Sequence, residues 1–207
     1  MEPIYLSEAE ARELARRALA MSSADEARVN LNSGVESNTR FAMNQITTSG
    51  EAQNASLTIS SAFGRRIGSA TTNRFDDESL RRVVEMSERL ARLAPEDPEY
   101  LGELGEQQYP AAGQPWFEST ANLDAEQRAA AVREVPRLAQ ESGLISTGVL
   151  PVTAGSQAVA TSRGLFAYNR GTNSAFSTTV RTPDGTGSGW AGISHTDWSG
   201  VDVREMA

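Results

Sequence analysis

The sequence predicts an α+β fold: antiparallel, strongly twisted sheets packed by helices, with an internal repeat of helix, strands and helix followed by helix and strands. Three observations carry this. Ser56 to Leu80 returns loosely as Ser177 to Val201 at a constant offset of 121 residues. Ser56/Ser177, Thr58/Thr179, Gly64/Gly185, Gly68/Gly189, Ala70/Ala191 and Asp76/Asp197 are identical in that register, where ordinary residue frequencies give about two identities. Short runs of period-two apolar alternation, the signature of half-buried strands, fill both halves. Three segments with helical apolar spacing each open on a capping residue.

The elements follow in order. Ser7 with Glu10 three residues on is a capping box, and Ala11, Leu14, Ala15 and Ala18 share one face of a helix expected to reach about Ser22. From Ala27 to Asn73 the runs ARVNLN, NTRFAMNQITTSG, ASLTISSAFG and RRIGSATTNR read as short strands of a meander. Turns are expected around Ser33-Gly34, Ser49-Gly50 and Gly64. Asp76 and Asp77 open a second helix with Leu80, Val83, Val84, Leu90, Ala91 and Ala94 on one side, ended by Pro95.

Residues 96–123 read as a Pro/Gly-rich linker whose Tyr100, Leu101, Tyr109, Trp116 and Phe117 are expected to lie against the body. Asp124 with Gln127 repeats the capping signal, and a third helix is expected to about Ser142, kinked or shortened at Pro136. Strands resume as LISTGVLPV, QAVATS, GLFAYN, AFSTTVRT and GWAGISHT, and a helix is expected to begin at Val201. The organisation is therefore a first copy over 1–95, the linker, and an incomplete second copy over 124–207. A first copy that finishes its helix and a second that loses it lead us to expect a truncated chain, a fragment or a domain excerpt.

Composition narrows the function classes. Net charge is −8 and spread along the chain, which gives no long-range attraction to nucleic acid or anionic lipid. All 19 basic residues are arginines. There is no cysteine, hence no disulfide. The N-terminus MEPIYLSEAEAR lacks a basic start and an apolar run, and no stretch approaches the length of a membrane span. The expectation is a soluble, cytoplasmic protein with neither a nucleic-acid nor a membrane partner.

Each chemical motif has a plainer structural reading. Gly187 to Gly192 satisfies GxGxxG, yet Trp190-Ala191-Gly192-Ile193-Ser194-His195 alternates as a strand and opens no helix for a pyrophosphate. Ser188 does not sit in G-x-S-x-G, and the single histidine, His195, would have to serve any triad. A zinc site needs three protein ligands, and His195 has no second His or Cys to join it, so it reads as a polar strand-end residue. Asp76-Asp77-Glu78 stands where negative charge caps a helix. Arg65-Arg66 reads as a solvated turn that could grip a carboxylate or an acidic partner. No residue of the chain is assigned as catalytic, cofactor-binding or metal-ligating.

The stretch from Phe41 to Tyr100 resembles the N-terminal domain of the TldD/PmbA (TldD/TldE) metallopeptidases. The similar features are the Asn44-Gln45 pair after an aromatic strand, the turn from Arg65 to Gly68, the helix ending at Ala94-Pro95, and GTGSGWAG at Gly185 to Gly192. The resemblance implies a cytoplasmic domain of a two-part protein in which a C-terminal domain carries zinc on HExxxH, absent from this chain. It further implies pairing with a TldD-like or TldE-like subunit, as hetero- or homodimer, and a chamber digesting unfolded or extended peptides. This chain would then be inactive alone, with no zinc of its own, and the similarity leans to the PmbA/TldE-like side. A stand-alone peptide-binding scaffold, or an enzyme using the glycine-rich loop, are the competing readings.

Overall fold

The computed structural model describes residues 5–109 and 115–206. In chain order the elements are α1 (Glu8–Ala20), β1 (Glu26–Ala42), β2 (Gln45–Phe63), β3 (Arg66–Thr72), α2 (Asp77–Leu93), α3 (Glu118–Ala121), α4 (Ala125–Glu141), β4 (Ile145–Thr161), β5 (Phe166–Arg181) and β6 (Ser188–His195). Two 3-10 turns follow, Trp198–Gly200 and Val203–Met206. All six strands join one antiparallel sheet in the order β3-β2-β1-β4-β5-β6.

A single sheet corrects the expectation of several, and its strands are longer than the runs read from the sequence. β1, β2, β4 and β5 span 17, 19, 17 and 16 residues, about three times the common strand length. Ser33-Gly34 and Ser49-Gly50 are not turns because their polar groups are satisfied inside the sheet. Ser33 Oγ lies 2.8 Å from Ser156 Oγ and accepts from the Leu6 N–H at 2.9 Å, while Ser49 Oγ lies 3.1 Å from Thr39 Oγ1. Alternate residues of β1 from Ala27 to Phe41 are buried without interruption, so a turn midway would have cost the chain its apolar face. The chain reverses instead at Met43 and Asn44, both left-handed at φ 52° and 61°.

The chain forms two compact units of interleaved segments: Met1–Gly34, Asn54–Gly113 and Gly155–Arg170 in one, Val35–Gln53, Gln114–Ala154 and Gly171–Ala207 in the other.

In the first unit α1 and α2 supply Leu14, Ala18, Leu80, Val83 and Val84 to a core completed by Val29, Leu31, Leu57 and Ile59. The expected caps are present: Ser7 and Glu10 bond reciprocally, and Asp76 accepts from the Ser79 N–H at 2.9 Å. Gly64 turns β2 into β3 with φ 58°, a conformation that favours glycine. β3 lies directly on the α2 backbone: a Cβ at Gly68 would come within 2.2 Å of the Ala91 nitrogen. Beneath this contact Ser61 Oγ and Ser87 Oγ are 2.7 Å apart and buried.

The chain from 96 to 109 divides by residue. Tyr100 docks as expected, its hydroxyl donating to Glu26 Oε2 at 3.0 Å, and the Glu103 N–H donates to the same oxygen at 2.6 Å. That N–H, with help from Tyr100 and Arg163 and against some desolvation, holds the Glu26 carboxyl below the ordinary carboxylate range. Leu101 is 92% exposed, and Leu104 and Tyr109 are also exposed, which corrects the expectation that the apolar linker residues are covered as a group. Polar anchoring, to Glu26 and through the Thr161 hydroxyl donating to the Leu104 carbonyl at 2.7 Å, holds this segment where its apolar side chains do not.

In the second unit α4 packs Val132 and Val135 against Phe41, Leu123, Leu150, Val152, Phe176 and Val203. Asp124 and Gln127 form the expected capping box. The helix runs from 125 to 141 through the buried Pro136 and is not shortened there. Buried Val132, Val135 and Ala139 around the proline supply packing that outweighs one missing backbone hydrogen bond. Arg128 is 1% exposed, with one guanidinium nitrogen donating to the Leu123 carbonyl at 2.6 Å. Burial pulls its pKa down, opposed by the charges of Glu51 and Asp124. The helix expected from Val201 is limited to the 3-10 turn Val203–Met206, which packs Val203 and Met206 into this core. Among the described residues no helix is long and apolar enough to cross a membrane.

Candidate functional site

β5 and β6 form a hairpin in which Gly185 takes φ 75° and Thr179 pairs with Trp190. Asp184 orders this turn by accepting from the hydroxyls of Thr182 at 2.6 Å and Thr186 at 2.9 Å. Those bonds hold its carboxyl below the ordinary range. On β1, Arg40 sits between buried Thr39 and Phe41 and therefore faces the opposite side of the sheet.

Between Arg40 and Trp190 lies a cleft of about 430 Å³, lined further by Thr47, Thr48, Thr147 and Thr179 and wholly within the second unit. Arg40 is the one charged residue of the lining. Trp190 is 71% exposed. Its ring lies over Gly192, two residues further along its own strand, where a Cβ would meet Trp190 Cζ2 at 2.6 Å. The glycine-rich stretch thus seats an indole rather than a phosphate.

The residues singled out in the sequence fall elsewhere or serve the fold. Gly187 to Gly192 leads into β6, a strand, and no helix follows it. Ser188 and His195 stand at opposite ends of that strand, about 23 Å apart at ~3.3 Å per residue, which excludes a Ser-His pair. His195 Nδ1 accepts from the Asp197 N–H at 2.9 Å and helps close the turn after β6. Asp76 caps α2, Asp77 pairs with Arg17 at 2.5 Å, and Glu78 pairs with Arg82 at 2.5 Å. Arg66 lies within 3.9 Å of Glu96. Among the described residues no group of three or more His, Cys, Asp or Glu could hold a metal ion.

Sequence reasoning missed the cleft itself. Its residues come from five strands, and no motif in the sequence groups them.

Residues 27–91 match the family model of the PmbA/TldA metallopeptidase domain 1. That stretch, about a third of the chain, is similar to a first domain of this family. No curated protein matches the chain. Among solved structures, TldE from Thermococcus kodakarensis is similar at TM-score 0.76 and 16% identity, over 95% of this chain and 45% of that one. A candidate modulator of DNA gyrase from Bacteroides thetaiotaomicron is similar at TM-score 0.79 and 15% identity, over 95% and 47%. Another from Thermotoga maritima is similar at TM-score 0.76 and 10% identity, over 95% and 46%. At these identities the likeness establishes the fold. The chain spans slightly under half the length of the structures it matches.

The zinc of a metallopeptidase does not fit the described residues of this chain. The one histidine is engaged in a turn, cysteine is absent, and the carboxylates beside α2 are committed to a cap and to two arginines.

Proposed function

We propose that this chain is the non-zinc-binding, N-terminal part of a PmbA/TldD-type metallopeptidase subunit, forming a wall of a chamber in which extended peptides are held for cleavage. The observation that carries this reading is the family match over residues 27–91. The sheet supports it physically. β6 is an edge strand whose eight residues are all at least partly exposed, and such an edge can bond a peptide main chain whatever its sequence. The long strands and the 121-residue register support reading the two halves as copies of one unit, each with a glycine of positive φ at its hairpin, Gly64 and Gly185.

In this reading the domain works in the cytoplasm, takes no nucleic acid, and depends on a TldD-like subunit or a catalytic domain for zinc and hydrolysis. The likeness to TldE supports the non-catalytic partner side. The test is to incubate the purified 207-residue chain with zinc and labelled extended peptides, and separately with an immobilised TldD-like subunit. Binding without turnover, together with retention on the subunit, is expected. Peptide hydrolysis that a chelator abolishes would overturn the assignment of a domain inactive alone, and absence of retention would count against the partner role.

A further inference from the structure

We infer that the cleft between Arg40 and Trp190 is a subsite for a peptide carboxylate, the free C-terminus or an acidic side chain of an extended peptide. The inference rests on the peptide-holding reading above and gives it a substrate preference. In a chain of net charge −8 the cleft carries one cation and no carboxylate. The Arg40 guanidinium has no hydrogen bond or ion pair among the described residues, whereas Arg12, Arg17, Arg82 and Arg137 are each paired with an acid. A guanidinium presents paired donors matched to one carboxylate.

Threonines line the cleft with it. Thr178 and Thr47 spend theirs on backbone carbonyls of Thr147 and Arg40, both at 3.3 Å. Those of Thr48, Thr147 and Thr179 have no hydrogen bond among the described residues and are available to a ligand. Opposite, the Trp190 indole is held over Gly192 and offers a flat apolar face to the residue bearing the carboxylate. About 430 Å³ is at the small end of ligand sites. It suits the end of a peptide or one or two side chains, not a folded partner. A single guanidinium in an acidic chain matches a monoanion and not a polyphosphate, whose further charge would meet no cation in the lining.

The experiment is fluorescence-polarisation binding of three fluorescein-labelled hexapeptides of one neutral sequence: amidated at the C-terminus, free at the C-terminus, and amidated with one internal Asp. The proteins are the full chain, Arg40→Gln, Arg40→Lys and Trp190→Ala. At least one carboxylated peptide is expected to bind about tenfold more tightly than the neutral amide, as charge-assisted hydrogen bonds allow. Which of the two gains identifies the source of the carboxylate. Arg40→Gln is expected to abolish the preference, Arg40→Lys to retain part of it, and Trp190→Ala to weaken the carboxylated peptide. Arg40 is exposed, and an unchanged unfolding midpoint for Arg40→Gln confirms that the loss is local. Equal binding of all three peptides overturns the subsite while leaving the peptide-holding reading intact. A preference that survives Arg40→Gln overturns the assignment to this cleft. Absence of binding by every peptide overturns the peptide-holding reading, and the subsite with it.

Discussion

Phe41 and Phe176 stack with ring centroids 6.1 Å apart and planes 10° from parallel, and the strand between theirs presents Gly148 at the same level. A Cβ at Gly148 would come within 2.4 Å of Phe41 Cζ and 2.3 Å of the Ser177 carbonyl oxygen. The aromatic pair, both rings 1% exposed, thus depends on a missing methyl group on the intervening strand. Phe41 and Gly148 also line the Arg40–Trp190 cleft, so the core beneath the cleft and the cleft wall are one piece of packing.

Gly148→Ala is expected to destabilise the chain by about 1–3 kcal/mol through overpacking. Phe41→Ala is expected to cost about 3–5 kcal/mol through the cavity it leaves. Urea unfolding checks both, and an unchanged midpoint for Gly148→Ala would show that β4 does not approach the rings as described.

Gly68 on β3 and Gly189 on β6 have opposite surroundings. Gly68 abuts the α2 backbone, whereas nothing lies within 4 Å of a Cβ built at Gly189. Gly68→Ala is expected to cost about 2–4 kcal/mol, because helix and strand must separate and the buried Ser61–Ser87 bond beneath them is lost. Gly189→Ala is expected to fall within about 0.5 kcal/mol of the parent, as for an open surface position. Thermal unfolding of the two variants side by side separates these outcomes.

Asn44 ties the β1–β2 turn to the start of β4. Its side-chain amide donates to the Leu144 carbonyl at 2.8 Å, and its Oδ1 accepts from the Ser146 N–H at 2.7 Å and the Ser146 hydroxyl at 2.8 Å. Asn44→Ala is expected to cost about 2–4 kcal/mol, since it strips these partners and puts alanine at φ 61°. Met43, 68% exposed at φ 52°, gains nothing from its side chain there. Met43→Asn is expected to stabilise by about 0.5–1 kcal/mol. Denaturant titration of both variants is the check, and a destabilising Met43→Asn would argue against the left-handed turn.

Glu88 lies on the inner face of α2. Burial alone would raise its pKa, but bonds from the Ser23 hydroxyl and N–H, the Ser22 hydroxyl and nearby Arg92 carry it below the ordinary carboxylate range. Because the folded pKa is depressed, the stabilisation is fully present above the unfolded value of about 4.3 and is lost as pH falls through the folded value. Glu88→Gln is expected to be less stable than the parent by about 1–3 kcal/mol at pH 7. The gap should close on acidification below about pH 4.3. Stability curves from pH 7 to pH 3 test this, and a gap independent of pH would rule out the carboxylate as its origin.

Much of the local structure was legible in the sequence. Ser7-Glu10, Asp76 and Asp124-Gln127 cap their helices as their spacing implies, because capping is settled within four residues. Gly64 and Gly185 mark hairpins for the same reason: a positive φ is a property of one residue. The Ser33-Gly34 and Ser49-Gly50 turns were misread because a serine hydroxyl looks alike whether it starts a turn or pairs with Ser156 from another strand.

The sequence by itself determined where helices begin, which faces of the strands are apolar, and that one histidine without cysteine makes a poor zinc set. Only the tertiary structure decided that the strands are long members of one sheet and that Arg40, Thr147, Thr179 and Trp190 share a cleft. The reason is that caps and alternation depend on neighbours in the chain. A cleft across five strands depends on strand order and register, which are set by contacts between residues more than a hundred positions apart.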